Sequence, residues 1–182
     1  MASSATVMVP TAPRKSNLQL LYESTPLVVA LTPFKANDYP NCLFWTERAW
    51  VEWAREGKEM GIFRSGVEGE GVNSSWLEDP NGRRVDVVVQ RNILDEARRT
   101  WSLMRRCRVR FGAYKATLLP ELDYFRKSME GAFEELRMCE NHWKVDQLWT
   151  ENYSSWANTR RQAKQPQRGD DETPRLATKR KL

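Results

Sequence analysis

Eight tryptophans in 182 residues set the terms on which this chain can fold. A buried indole removes about 150–250 Å² from water, which is about 4–6 kcal/mol gross at 25 cal/mol/Å². Rings that large must be covered, so their positions mark the core. Trp45, Trp50 and Trp53 form one cluster, Trp143, Trp149 and Trp156 a second, and Trp76 and Trp101 stand singly between them. Ordering a residue costs about 1–2 kcal/mol in backbone entropy alone. The tryptophans therefore hold a domain and not the whole chain, and residues 39–156, which contain them all, are expected to be that domain.

The periodicity between the clusters is helical. Thr46 reads as an N-cap with Glu47 in the first turn. Ala49, Trp50, Trp53 and Ala54 then recur at three- and four-residue steps up to Gly57. A longer helix is expected from Asp86 to about Cys107. Ile93, Leu94, Ala97, Trp101 and Met104 share one arc of its wheel, and a further turn would carry Arg108 onto that apolar face. Pro120 suits the first turn of a third helix that turns Leu122, Phe125 and Met129 inward and reaches about Gly131. A fourth is expected from Met138 to Tyr153. Asp79-Pro80-Asn81-Gly82 between short flanks reads as the turn of a small β-hairpin. The expected fold class is mainly α: about four helices around an aromatic core with one small hairpin. The spacing turns Trp50, Trp53, Trp101, Trp143 and Trp149 inward as structural core.

Outside the domain, residues 1–16 are rich in Ala, Ser, Thr and Pro and are expected to be disordered. Residues 17–38, cut by Pro26 and Pro33, read as an extended arm. Residues 157–182 read as a disordered basic tail, with eight basic against three acidic residues. Its end, Lys179-Arg180-Lys181, has the form of a nuclear localisation signal. The longest apolar run near the N-terminus, Leu27–Leu31, is far below a membrane span. Cys42, Cys107 and Cys139 are odd in number and lack a pairing pattern, so they read as reduced thiols of an intracellular protein, nuclear or else cytoplasmic.

Several landmarks together resemble a multi-copy family of predicted proteins from mushroom-forming fungi. They are Tyr39-Pro40-Asn41 with Phe44-Trp45-Thr46 and Trp50, the hairpin turn, Ala97-Arg98 with Trp101, and Phe111-Gly112-Ala113. Cys139-Glu140 with Trp143-Lys144 and Asn152-Tyr153 with Trp156 complete the set. The resemblance covers residues 39–156. His142 stands where that family usually has Asp, and Ser154 where it has Pro. The resemblance brings no activity with it; the family's copy number implies a mobile-element origin.

The chemistry-bearing residues point away from catalysis. Cys139 and the single histidine, His142, could share a zinc ion with Cys42 and Cys107, or act as a nucleophile and base. Structural zinc sites, however, usually take two short-spaced ligand pairs, and only one is present. Asp95-Glu96 and Glu134-Glu135 point about 100° apart on a helix and cannot converge. The glycines of the 57–71 stretch lack the Lys-Ser/Thr ending of a phosphate loop. No cofactor is expected.

The strongest functional surface is the basic arc of the long helix, Arg91, Arg98, Arg99, Arg105 and Arg106. Residues 73–120 hold ten basic against five acidic side chains, and residues 121–156 four against eight. The arc could therefore meet nucleic-acid phosphates, an acidic protein partner, or the acidic stretch of its own domain. The expected function is a non-catalytic binding module, associated with nucleic acid through the arc and tail. The alternative is a protein–protein or structural module. An enzyme or metal protein built on Cys139 and His142 comes third.

Overall fold

The computed structural model describes residues 15–24, 31–59 and 75–162. Five helices stand in these segments: α1 (Asn17–Ser24), α2 (Glu47–Glu59), α3 (Val87–Arg106), α4 (Leu119–Ala132) and α5 (Trp143–Gln162). Short 3-10 turns at Ala36–Asp38, Tyr114–Ala116 and Glu134–Leu136 bend the connections. No described helix is long and apolar enough to cross a membrane.

The long helix forms for the reasons its sequence gives. The Asp86 carboxylate accepts the Val88 and Val89 N–H groups at 2.7 and 2.9 Å, which satisfies two of the orphan donors at the start of α3. Ile93, Ala97, Trp101 and Met104 are buried. The helix stops at Arg106, and Arg108 takes a left-handed conformation at φ 58°. There the Arg108 N–H reaches the Arg105 carbonyl at 3.1 Å and the Val109 N–H the Met104 carbonyl at 3.0 Å. That is a Schellman stop with arginine where glycine is usual. It keeps Arg108 exposed and buries Val109 instead.

Three expectations are corrected. Residues 17–24, expected in an extended arm, are helix α1. Ser16 and Gln19 cap it reciprocally: the Gln19 N–H donates to Ser16 Oγ at 3.2 Å and the Ser16 N–H to Gln19 Oε1 at 2.8 Å. Leu21 is thereby carried fully into the core, and Tyr22 meets Tyr124 edge-on at 5.2 Å. The helix count is accordingly five among the described residues. The hairpin has its turn, with Gly82 at φ 73°, but its ladder is a single bridge between Glu78 and Arg84. A strand with one buried face would alternate, whereas Trp76, Leu77 and Glu78 are buried in succession. Finally, α5 begins five residues later than Met138 and runs on past Trp156 to Gln162, into the expected tail. Residues 138–142 are a turn in which Asn141 and His142 are both left-handed, at φ 52° and 61°. The remaining expected disordered stretches, residues 1–14 and 163–182, lie outside the described residues.

The core is an aromatic stack between α3, α4 and α5. Trp101 lies parallel to Phe125 at 5.5 Å and is ringed by Trp149, Tyr153 and Trp156 at 5.4 to 5.7 Å. Trp143 and Trp149 are buried as expected. Trp50 is half-buried against Phe44. Trp53 departs from the expectation: it is 39% exposed and stacks on Trp50 at 5.3 Å. Three- and four-residue spacing aligns it with Trp50 but does not supply a cover.

A loop strap completes the domain. The Trp45 carbonyl accepts both the Glu140 N–H and the Trp143 indole N–H at 3.0 Å. On its other side Asn41 meets the hairpin turn so closely that a Cβ at Gly82 would lie 1.9 Å from the Asn41 carbonyl oxygen.

Candidate functional site

The five arginines of the arc, Arg91, Arg98, Arg99, Arg105 and Arg106, are all exposed along one side of α3. Arg98 pairs with Asp95 at 2.9 Å and Arg99 with Glu96 at 3.2 Å, both one turn back on the same helix. Such solvent-exposed pairs contribute about 0.3–0.5 kcal/mol and exchange readily. Among the described residues, Arg91, Arg105 and Arg106 have no carboxylate within ion-pair distance. Among the described residues the acidic stretch 121–156 makes no ion pair with the arc; its Asp146 instead holds Arg126, at 2.5 and 2.8 Å.

Arg105 has a different neighbour. Its guanidinium lies 5.7 Å from the centre of the Trp156 ring, and Arg160 lies 5.0 Å from the same ring. The basic face therefore continues from α3 onto the end of α5 through one shared indole. The sequence pattern sets Arg160, with Arg161, in the basic tail and not on this face because the expected helix ends at Tyr153. The four-residue step from Trp156 to Arg160 was the available signal. Beside Arg99 and Arg106, α3 and α4 leave a groove of about 300 Å³ floored by Leu103, Tyr124, Gly131 and Ala132. Lys179, Arg180 and Lys181 lie outside the described residues.

The two sulfur-bearing landmarks serve the fold. Cys42 and Lys144 meet in a buried polar cluster on Glu78. One carboxylate oxygen of Glu78 accepts the Leu43 N–H at 2.9 Å; the other accepts the Phe44 N–H at 2.9 Å and the Cys42 thiol at 3.1 Å. Lys144 Nζ lies 3.8 Å from that second oxygen and 3.9 Å from Cys42 Sγ, with both charged side chains buried. Burial pushes the Cys42 thiol up to about 11. Cys139 donates to the Leu136 carbonyl at 3.4 Å and is likewise pushed by burial to about 11. Thiols held protonated in this way are poor nucleophiles.

His142 and Cys139 do share a cleft, of about 390 Å³, although not on a helix as their spacing suggested. His142 Nδ1 lies 2.5 Å from Glu130 Oε1, and burial raises the Glu130 carboxyl above its ordinary value against the pull of that imidazole. Arg126, Arg137 and Phe34 supply the other walls. Cys107 caps the far end of α3 and does not line the cleft. Among the described residues, no group of three or more His, Cys, Asp or Glu side chains is placed to hold a metal ion.

Compared with protein-family models, with curated proteins and with solved structures, the chain matches none.

Proposed function

We propose that the protein is a non-catalytic binding module that engages nucleic-acid phosphates through the outer face of α3, with Lys179, Arg180 and Lys181 as a nuclear localisation signal. The observation that carries this reading is the exposure of Arg91, Arg98, Arg99, Arg105 and Arg106 on one helix face, where the only carboxylate partners among the described residues are weak ones on that same helix. From Arg91 to Arg106 the face runs about 22 Å at 1.5 Å per residue, the length of about six phosphates along one strand. Arg160, across Trp156 from Arg105, lengthens it.

Anisotropy of labelled single-stranded DNA and RNA at about 50 and 200 mM salt tests the proposal. Binding should weaken steeply with salt, and the triple variant Arg98→Ala, Arg105→Ala, Arg106→Ala should flatten the log–log slope by about 2. No binding at the lower salt refutes it.

A second reading has one observation behind it. The apolar groove between α3 and α4, with Arg99 and Arg106 beside it, suits an acidic protein segment carrying an apolar side chain. Nucleic-acid binding that survives substitution of the arginines, or its absence beside capture of acidic peptides, would favour that alternative. Descent from the mobile-element-associated fungal family belongs to the same proposal, and transposase reading frames beside the gene would support it.

A further inference from the structure

The cleft at His142 lies outside the arginine face and has features that face does not explain. Its volume, about 390 Å³, is in the range of small-molecule sites. Its polar groups come from separate parts of the chain: Arg126 and Glu130 from α4, Arg137, Asn141 and His142 from the turn before α5. Leu31, Thr32, Pro33 and Phe34 form a mostly apolar wall opposite. Two consecutive residues, Asn141 and His142, hold left-handed backbone at its edge. Each such non-glycine residue costs about 1–3 kcal/mol and persists because its surroundings fix it.

The groups themselves specify the charge of an occupant. Glu130, the one carboxylate in the lining, is buried and turned onto His142 Nδ1. Glu130 and Nδ1 engage each other, which leaves Nε2 as the ring nitrogen with no partner among the described residues. Arg126 spends Nε and Nη2 on Asp146, and its Nη1 has no partner among the described residues. Arg137 uses Nη2 on the Thr32 carbonyl at 2.7 Å while its guanidinium lies 3.8 Å from the centre of the Phe34 ring. That stacking orients a planar fork beside an apolar surface. Asp146 balances the charge of Arg126 and Glu130 is engaged by His142, so the cleft selects by its donors: among the described residues Arg126 Nη1 and the Arg137 Nε and Nη1 groups have no other acceptor, which favours an oxyanion, and Leu31 and Pro33 beside Phe34 favour an apolar body attached to it.

We propose that this cleft is a binding site for a small organic oxyanion, a carboxylate or phosphate monoester on an apolar or aromatic body, held by Arg137 and Arg126 with its body along the wall formed by Leu31, Pro33 and Phe34. The ligand's oxygens meet the guanidinium donors, and His142, braced by Glu130, closes the polar side. The site is independent of nucleic-acid binding by α3, so either can fail without the other.

His142 is the only histidine in the chain, so its Cε1–H proton signal reports on the cleft without assignment. Phenyl phosphate and benzoate, titrated separately, should move that signal saturably, and the tighter of the two identifies the preferred headgroup. Benzyl alcohol, with the same ring and no charge, should leave it in place. Arg137→Gln should weaken binding at least about tenfold, with Arg137→Lys between it and the natural protein. Arg48→Gln, on α2 and outside both sites, should leave affinity unchanged. The proposal is overturned if neither anion moves the signal up to about 10 mM, if benzyl alcohol moves it equally, or if Arg137→Gln folds and binds as tightly as the natural protein.

Discussion

Replacing Glu78 by glutamine should unseat the domain more than any change of similar size. The carboxylate accepts two backbone N–H groups at 2.9 Å and a thiol at 3.1 Å, and it is the countercharge of Lys144 at 3.8 Å. An amide keeps one acceptor oxygen and turns its NH₂ toward donors. One buried N–H then goes unsatisfied, costing about 1–3 kcal/mol. Lys144 also loses its partner; at 3.8 Å and an effective dielectric of about 20, that attraction is about 4 kcal/mol, in line with the cost of about 3–5 kcal/mol for breaking a buried pair. The sum, about 4–8 kcal/mol, is comparable to the whole stability of a typical domain. Lys144→Met leaves the carboxylate with its three donors and should cost about 3 kcal/mol. The double variant no longer strands either charge and should be less destabilised than Glu78→Gln alone. Urea unfolding followed by tryptophan fluorescence measures all three. If Glu78→Gln does not fold, recovery of folding in the double variant makes the same point. Costs that add to within about 0.5 kcal/mol would show that the pair is not coupled and would refute the reasoning.

Three further outcomes follow from other parts of the fold. Stability should decline as pH rises from 9 to 11, because the Cys139 thiol is raised from 9.0 to about 11 in the fold; a group raised on folding contributes below its unfolded value and loses that contribution as pH climbs through the folded one. A rise from 9.0 to about 11 corresponds to up to about 3 kcal/mol for each of Cys139 and Cys42, which is raised alike, and Cys139→Ser should show a shallower decline in urea midpoints. Gly82→Ala meets the Asn41 carbonyl oxygen at 1.9 Å from a backbone at φ 73°, so it should cost more than about 3 kcal/mol; unchanged thermal unfolding would contradict that contact. Arg108→Gly should instead stabilise the domain by up to about 1 kcal/mol, since glycine relieves a left-handed arginine worth about 1–2 kcal/mol of strain but adds unfolded-state entropy; a lower melting temperature would count against the helix stop described above.

What could be read from the sequence was whatever a helix decides by itself. The Asp86 cap, the buried face of α3 and the stop before Arg108 depend on neighbours within a few residues, and each stands as expected. The basic arc is legible for the same reason: a helical wheel places Arg91, Arg98, Arg99, Arg105 and Arg106 together, and the solvent decides the rest. Helix α1 was legible in principle through the reciprocal caps of Ser16 and Gln19, but at eight residues and with prolines following at 26 and 33 its apolar pattern is too short to mark a helix by itself. The turn at 138–142 was not legible. It is held by the Trp45 carbonyl on Glu140 and by Glu130 on His142, partners that sequence spacing does not reveal. The polar cleft was hidden for the same reason, since its walls come from three distant stretches. Trp53 shows the reverse error: it lies on the expected face beside Trp50 and against Phe44, yet remains 39% exposed.

The strap at Trp45 bears on how the chain reaches this state. Helical domains usually fold fast because their contacts are local. Here one carbonyl waits for donors as many as 98 residues further along, and the Glu78 carboxylate must find N–H groups 34 and 35 residues behind it. Loop closure of that kind has to precede the reward for making it. The helices can form early, but α5 is not fixed at its start until the strap has closed. The rate of reaching the native state should accordingly resemble that of a mixed α/β domain more than that of a simple helical bundle.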